Sequence, residues 1–271
     1  MYETFGPGDE VLQSIAFIQD EVPYTLIHSI VGGGDAVSYK SRDGQVVYAQ
    51  TPGYRGWVWI SKHMQGMERE ERLRTLCAAL GDVKVPGLAG DPDIVLAMAS
   101  LYAAAHGVAY HPRMELQAYQ CRVPKLPEGV MGVCQAATAR DVLDVARFLV
   151  EFTLDAYGNT VDLASQMQDA DRLIRSGNLY LWKVNGESVS MANIAGRTPR
   201  HARINAVCTP RAYRKQGYAS ALVAEVCRII LAEGLTPILY ADGANPNSNR
   251  VYQQIGFEAS GKIQEIDFIR E

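Results

Sequence analysis

The sequence lacks the features that mark most specialised classes of protein. Its five cysteines, Cys77, Cys121, Cys134, Cys208 and Cys227, are odd in number, widely scattered and include no C-x-x-C pair. Neither a disulfide framework nor a zinc site is suggested, and no metal is expected. Positive charge is not in excess: 30 acidic residues stand against 26 basic ones, with a net charge of −4 and a pI near 5.8. That balance does not suit a protein that neutralises a phosphate backbone, so nucleic acid is not expected as a partner. The first ten residues hold Glu3, Asp9 and Glu10 without Lys or Arg, the wrong charge for a secretory leader. The longest uncharged run, Ile94 to Pro112, is rich in alanine, contains His106, Gly107 and His111, and lacks the dense Leu, Ile, Val and Phe of a membrane span. It reads as a buried helix. With 24 glycines and 12 prolines in 271 residues, the chain is too poor in both to be disordered or collagen-like. What remains is a globular protein, expected in the cytoplasm by default and away from membranes.

Its length points to two domains at about 150 residues each. Two prolines and a glycine between Val123 and Gly129 disfavour both helix and central strand, so a linker is expected at 124–129, between domains at 1–123 and 130–271. In the first half, strands are expected from Gln45 to Ile60, interrupted at Pro52-Gly53, and a helix from Glu70 to Leu80. A loop is expected from Gly87 to Asp91. Asp91-Pro92 should cap a helix from Asp93 to Ala105, followed by a strand from Arg113 to Cys121. Gly32-Gly33-Gly34 reads as a flexible turn.

The second half is richer in signals. Val130 to Gln135 reads as a strand. Thr138 caps a helix with Val142, Val145, Phe148, Leu149 and Phe152 on one face, and a second helix carries Leu163, Met167, Ala170, Leu173 and Ile174. Asn185-Gly186 joins two strands as a two-residue hairpin. A strand from Ile204 to Thr209, a helix from Gly217 to Glu233, a strand from Ile238 to Ala241, a helix from Ser248 to Ile255 and a strand from Lys262 to Ile269 complete an α/β pattern with a mixed sheet.

Val207-Cys208-Thr209-Pro210-Arg211-Ala212-Tyr213-Arg214-Lys215-Gln216-Gly217-Tyr218-Ala219-Ser220 runs from a strand through a tight loop into a helix. Free N–H groups at a helix start, together with the positive end of its dipole, suit an anion, and Gly217 and Ala219 leave that backbone uncovered. Arg214 and Lys215 add positive charge. The segment Arg214 to Ala219 resembles the Q/R-x-x-G-x-G/A motif of the GNAT superfamily of acyl-CoA N-acyltransferases. Downstream, Asn245 to Phe257 resembles that family's N-x-x-S-x-x-x-Y-x-x-x-G-F block. The likeness covers about residues 130 to 271, and the amino half resembles, more loosely, the degenerate GNAT-like half of two-domain members.

The resemblance implies a GNAT-like mixed central sheet flanked by helices, and direct transfer from acetyl-CoA, the cosubstrate, to a small-molecule or peptide amine in a ternary complex. It implies that the backbone of Arg214, Lys215, Gln216, Gly217, Tyr218, Ala219 and Ser220 grips the coenzyme pyrophosphate. The pantetheine arm would lie beside Val207, Cys208 and Thr209 where parallel strands splay, with a backbone N–H near Cys208 polarising the thioester. Tyr252 falls on the family's tyrosine, placed to protonate the departing thiolate, and Asn249 on one helical face with it would hydrogen-bond the pantetheine. No carboxylate stands among Arg203, Ile204, Asn205, Ala206 and Val207 to act as base, which leaves Asp242 or Glu187 acting through water. Cys208 reads as a small buried hydrophobe and His201 as a loop histidine. The hairpin, the first two helices of the second half and the amino domain would choose the amine, and a homodimer is among the assemblies allowed. The competing reading is a non-catalytic acyl-CoA-binding or sensing protein on the same fold. A protein-interaction module without coenzyme would leave Arg214 to Ser220 unexplained.

Overall fold

A computed structural model of the chain describes residues 1–269. In chain order its elements are β1 (Tyr2–Glu3), α1 (Ile15–Tyr24), α2 (Leu26–Val31), β2 (Val37–Ser41), β3 (Val46–Gln50), β4 (Gly56–Ile60), α3 (Gly66–Leu80), β5 (Gly87–Gly90), α4 (Pro92–His106) and β6 (Ala109–Gln120). There follow β7 (Val133–Ala136), α5 (Val142–Tyr157), α6 (Leu163–Arg175), β8 (Leu179–Val184), β9 (Glu187–Arg197), β10 (His201–Cys208), α7 (Tyr218–Ala232), β11 (Thr236–Asp242), α8 (Pro246–Ile255) and β12 (Glu258–Ile269). They form two compact units. The first holds Met1–Tyr119, Ala241–Asn245 and residues 259–269; the second holds Gln120–Tyr240 and Pro246–Glu258.

In the first unit the strands lie in the order β1-β2-β3-β4-β5-β12-β6. All the registered pairs are antiparallel except β4 with β5, which runs parallel from Gly56 opposite Leu88 to Val58 opposite Gly90. The core is Tyr48, Val58, Ile60, Leu73, Leu76, Leu88, Met98, Tyr102 and Ile266, with α3 and α4 supplying the helical layer. Asp91 caps α4 by accepting from the backbone of Asp93 at 3.1 Å, and Gly107 ends the helix at φ +65°. The segment from Gly87, expected to be a loop, is the buried strand β5. Its glycines serve close packing: a Cβ on Gly87 would stand 2.2 Å from the Ile266 carbonyl, and one on Gly90 2.4 Å from the Val58 carbonyl. The final strand, β12, pairs with β5 in this unit, with Gln264 opposite Gly90 and Asp267 opposite Gly87. The linker-based division instead assigns its residues to the second domain.

The second unit has the strand order β11-β10-β9-β8-β7, with β10 and β11 parallel and the rest antiparallel. The β8–β9 turn is two residues long, Val184 pairing with Glu187, and Asn185 and Gly186 adopt φ +51° and +86°, the positive pair a primed turn requires. Val145, Phe148 and Leu149 of α5 and Ile174 of α6 pack on Leu179, Leu181, Met191 and Cys208 of the sheet. Each unit thus contains an antiparallel three-strand meander, a helix and a strand parallel to the meander's last member: β2-β3-β4, α3, β5 in one and β8-β9-β10, α7, β11 in the other.

A buried charge pair fixes the start of α5. Asp141 accepts from both the backbone N–H and the hydroxyl of Thr138 at 2.8 Å, and pairs with Lys183 of β8 at 2.5 Å. Burial opposes ionisation of Asp141, but the Lys183 and Thr138 hydrogen bonds outweigh it and hold the carboxyl below the usual range. The stability it contributes is therefore complete above the unfolded carboxylate value of about 3.9 and is lost as pH falls through the lower folded value. Asp141→Ala strands the Lys183 ammonium in a largely buried place, and chemical denaturation should show a loss of about 3 kcal/mol.

Candidate active site

The site is built where β10 and β11 part. Their parallel ladder runs from His201 opposite Thr236 to Ile204 opposite Leu239, although β10 continues to Cys208 and β11 to Asp242. On the other edge, β9 opposes Asn193 to Asn205 and then Met191 to Cys208, so one register step is broken, and Ala206 at the bulge sits at φ +49°. Holding a non-glycine residue there costs about 1 kcal/mol or more. The backbone from Asn205 to Cys208 is released from its ladder with β11. In an open sheet, the carboxyl ends of parallel strands are where ligands bind. Both α7, which follows β10, and α8, which follows β11, begin at that end.

The loop from Thr209 to Gln216 is tied down by side chains outside it. Ser190 of β9 donates to the Cys208 carbonyl at 3.1 Å and shares a hydrogen bond with the Thr209 hydroxyl at 2.8 Å. Arg214 reaches back to the Thr209 carbonyl at 2.9 Å and pairs with Asp155 of α5, which also holds Arg211 at 3.0 Å. The Arg211 N–H donates to Glu151, one turn earlier on α5, at 3.0 Å. Burial opposes ionisation of Asp155, but Arg214 and Arg211 outweigh it and hold its carboxyl below the usual range. Tyr213 donates to Glu187, and that bond raises its own pKa. Glu187 is thereby held against the loop, whereas Asp242 accepts from Ala244 in the turn after β11 at 2.9 Å.

Lys215 at φ +64° and Gly217 at φ +81° turn the chain into α7. A Cβ on Gly217 would come within 2.9 Å of Val130, so both conformation and space require glycine there. No side chain caps α7, and its first ladder bond runs from Ala221 to Gly217 at 2.9 Å. Tyr218, Ala219 and Ser220 therefore present their N–H groups at the positive end of the helix dipole. Tyr218 donates to Gln216 at 2.9 Å. From Ala221 onward the helix is mostly buried, which anchors this exposed start. This arrangement fits a diphosphate.

Asn249 and Tyr252 lie half-buried and three residues apart on α8. The Tyr252 ring meets Phe257 edge-on with centroids 5.9 Å apart, and burial pushes its phenol up to about 12. Gly256, at φ +104°, passes the Val123 carbonyl so closely that a Cβ would stand 2.6 Å from it. The glycine of the downstream block sits at a chain crossing. Cys208 is buried, donates to the Phe148 carbonyl at 3.4 Å and has its thiol pushed up to about 12 by burial, so it is held as an inert thiol. His201, read from the sequence as a loop residue, is the first, buried residue of β10. Its flanking Pro199-Arg200 obscures the strand start. Asp155, Glu151 and Ser190 were not legible as site residues, because the loop contacts that distinguish them span 18 to 60 positions of sequence.

Residues 147–257 match the model of the acetyltransferase (GNAT) family. No curated protein matches the sequence. Among solved structures, a GCN5-related N-acetyltransferase from Sphaerobacter thermophilus superposes with a TM-score of 0.60 at 16% identity, covering 100% of this chain and 96% of that one. An acetyltransferase from the GNAT family of Colwellia psychrerythraea gives 0.59 at 14%, covering 99% and 100%. A GCN5-related N-acetyltransferase from Kribbella flavida gives 0.56 at 17%, covering 95% and 97%. At these identities the likeness establishes the fold, a mixed α/β sheet flanked by helices.

Proposed function

We propose that this chain, whose residues 147–257 match the acetyltransferase (GNAT) family model, transfers acetyl from acetyl-CoA to a primary amine by direct attack. The observation that carries the reading is the uncapped start of α7 beside the parted strands β10 and β11. When bound, acetyl-CoA supplies an acyl thioester already activated toward amines. The N–H groups of Gly217 to Ser220 hold the pyrophosphate, and Val207 to Thr209 offer the released edge of β10 to the pantetheine arm. A β10 N–H near Cys208 stabilises the oxygen on which negative charge develops. The amine nitrogen forms the new N–C bond, the C–S bond breaks, and Tyr252 donates its proton to the departing sulfur. The proton released by nitrogen returns to Tyr252 through solvent. Arg211 and Arg214, both paired with Asp155, fix the loop's shape.

A screen of primary amines for release of coenzyme A thiol tests the activity. The absence of a carboxylate in β10 from Arg203 to Val207 favours the second reading, a non-catalytic acyl-CoA sensor. Tight acetyl-CoA binding with no thiol release from any amine would establish the sensor.

The first unit is expected to bind no coenzyme. Its counterpart of the loop spans only residues 61–65, and although Gln65-Gly66 repeats Gln216-Gly217, with Gly66 at φ +59°, the first turn of α3 carries Glu68. A carboxylate there already occupies the helix dipole and repels a diphosphate. Mass spectrometry under native conditions should find one acetyl-CoA per chain. Two would place a second site in the first unit.

A further inference from the structure

We infer that Asn193 anchors the acceptor amine, its Oδ1 accepting a hydrogen bond from the attacking nitrogen. This rests on the acetyl-transfer reading above. Asn193 lies on β9 with only 4% of its surface exposed, and its Nδ2 donates to Asn205 Oδ1 at 2.9 Å, while among the described residues no donor reaches its own Oδ1. A buried carbonyl oxygen without a donor is costly and uncommon, and a ligand N–H satisfies it.

Its position suits that ligand. Cross-strand partners share a face of a sheet, and Leu179, opposite Asn193, belongs to the apolar layer beneath α5 and α6. Asn193 therefore faces that side, next to Asn205, the exposed residue at which β10 leaves its ladder with β11 and its register with β9 breaks. Adjacent strands are roughly 5 Å apart, so the amide lies one strand across and two residues along β9 from Met191, the partner of Cys208, where the thioester is proposed to sit. Further along β9, Ser190 holds the end of β10 and Met191 fills the core with Cys208.

An amide carbonyl accepts from a neutral amine without the strong preference for ammonium that a carboxylate has. Asn193 thus orients the free-base amine, with its lone pair left for the carbonyl carbon. It removes no proton, and the proton balance of the transfer is unchanged.

The test compares Asn193→Leu, which keeps the branching at Cγ and removes the acceptor, with Asn193→Asp, which keeps an acceptor oxygen at the same place but gives up the donor to Asn205. Benzylamine and glycinamide serve as probe amines, titrated calorimetrically into the coenzyme A-loaded full-length protein, with acetyl-CoA affinity and thiol release measured alongside. In Asn193→Leu, amine affinity and kcat/KM should each fall at least about tenfold, with acetyl-CoA affinity within about twofold of wild type. Asn193→Asp, whose carboxylate still accepts from the amine, should bind the probes no more than about threefold more weakly than wild type. Wild-type amine affinity in Asn193→Leu would overturn the assignment, and so would a parallel loss of acetyl-CoA affinity, which would make Asn193 a support of the strand. Should the buried leucine prevent folding, Asn193→Asp decides instead, since loss of amine binding there overturns the inference. If wild-type protein bound acetyl-CoA but released thiol with no amine of the screen, the transfer reading would fall, whereas a working transferase whose amine affinity survives in Asn193→Leu overturns this inference alone.

Discussion

Replacing Tyr252 by phenylalanine is expected to lower kcat by about 10²-fold or more, while the dissociation constant for acetyl-CoA stays within about twofold of wild type. A positioned acid contributes on that scale because it acts only as the sulfur takes up charge, and removing it leaves ground-state binding intact. Phenylalanine keeps the edge-on contact with Phe257, so packing is preserved. Since burial pushes the phenol up to about 12, Tyr252 stays protonated across the neutral range, and its loss of the proton weakens activity only as pH approaches that value. A fall in kcat between pH 7 and 10 would belong to another group and should persist in the phenylalanine variant. Wild-type turnover by purified Tyr252→Phe would return Tyr252 to the role of a packing aromatic.

The parts of the fold that were legible from sequence are those in which one local residue choice decides the backbone. Asn185-Gly186 supplies two positive φ values, and Asp91-Pro92 supplies a cap and a first helical turn, so hairpin and helix fall where expected. Strand β5 was hidden because Gly-Leu-Ala-Gly reads as a turn, whereas its glycines admit the backbones of β4 and β12 at distances no side chain tolerates. The pairing of β12 with β5 is equally silent, because nothing in its letters says which strand it will lie beside. At the site, the loop and Gly217 stood out through helix-start chemistry. The Asp155 clamp on Arg211 and Arg214 did not, since a carboxylate on the exposed flank of a helix reads only as a solvated charge.

Introducing a carboxylate at the start of α7 is expected to weaken acetyl-CoA binding at least about 100-fold, equivalent to about 2.7 kcal/mol. Gly217→Glu sets the charge against the pyrophosphate, but it also forces a side chain into φ +81° and against Val130 at 2.9 Å, so lost binding and lost folding would be entangled. Ala219→Glu separates them. Ala219 is half-exposed in the first turn, where an acidic side chain favours the helix by meeting its positive end. The fold is therefore kept, while the new carboxylate competes for the same N–H groups and repels the diphosphate. Thermal unfolding of Ala219→Glu should match or exceed wild type as its calorimetric affinity for acetyl-CoA collapses. Undiminished affinity in that folded variant would remove the coenzyme from the 214–220 segment, and with it the placement of the thioester beside Val207 to Thr209.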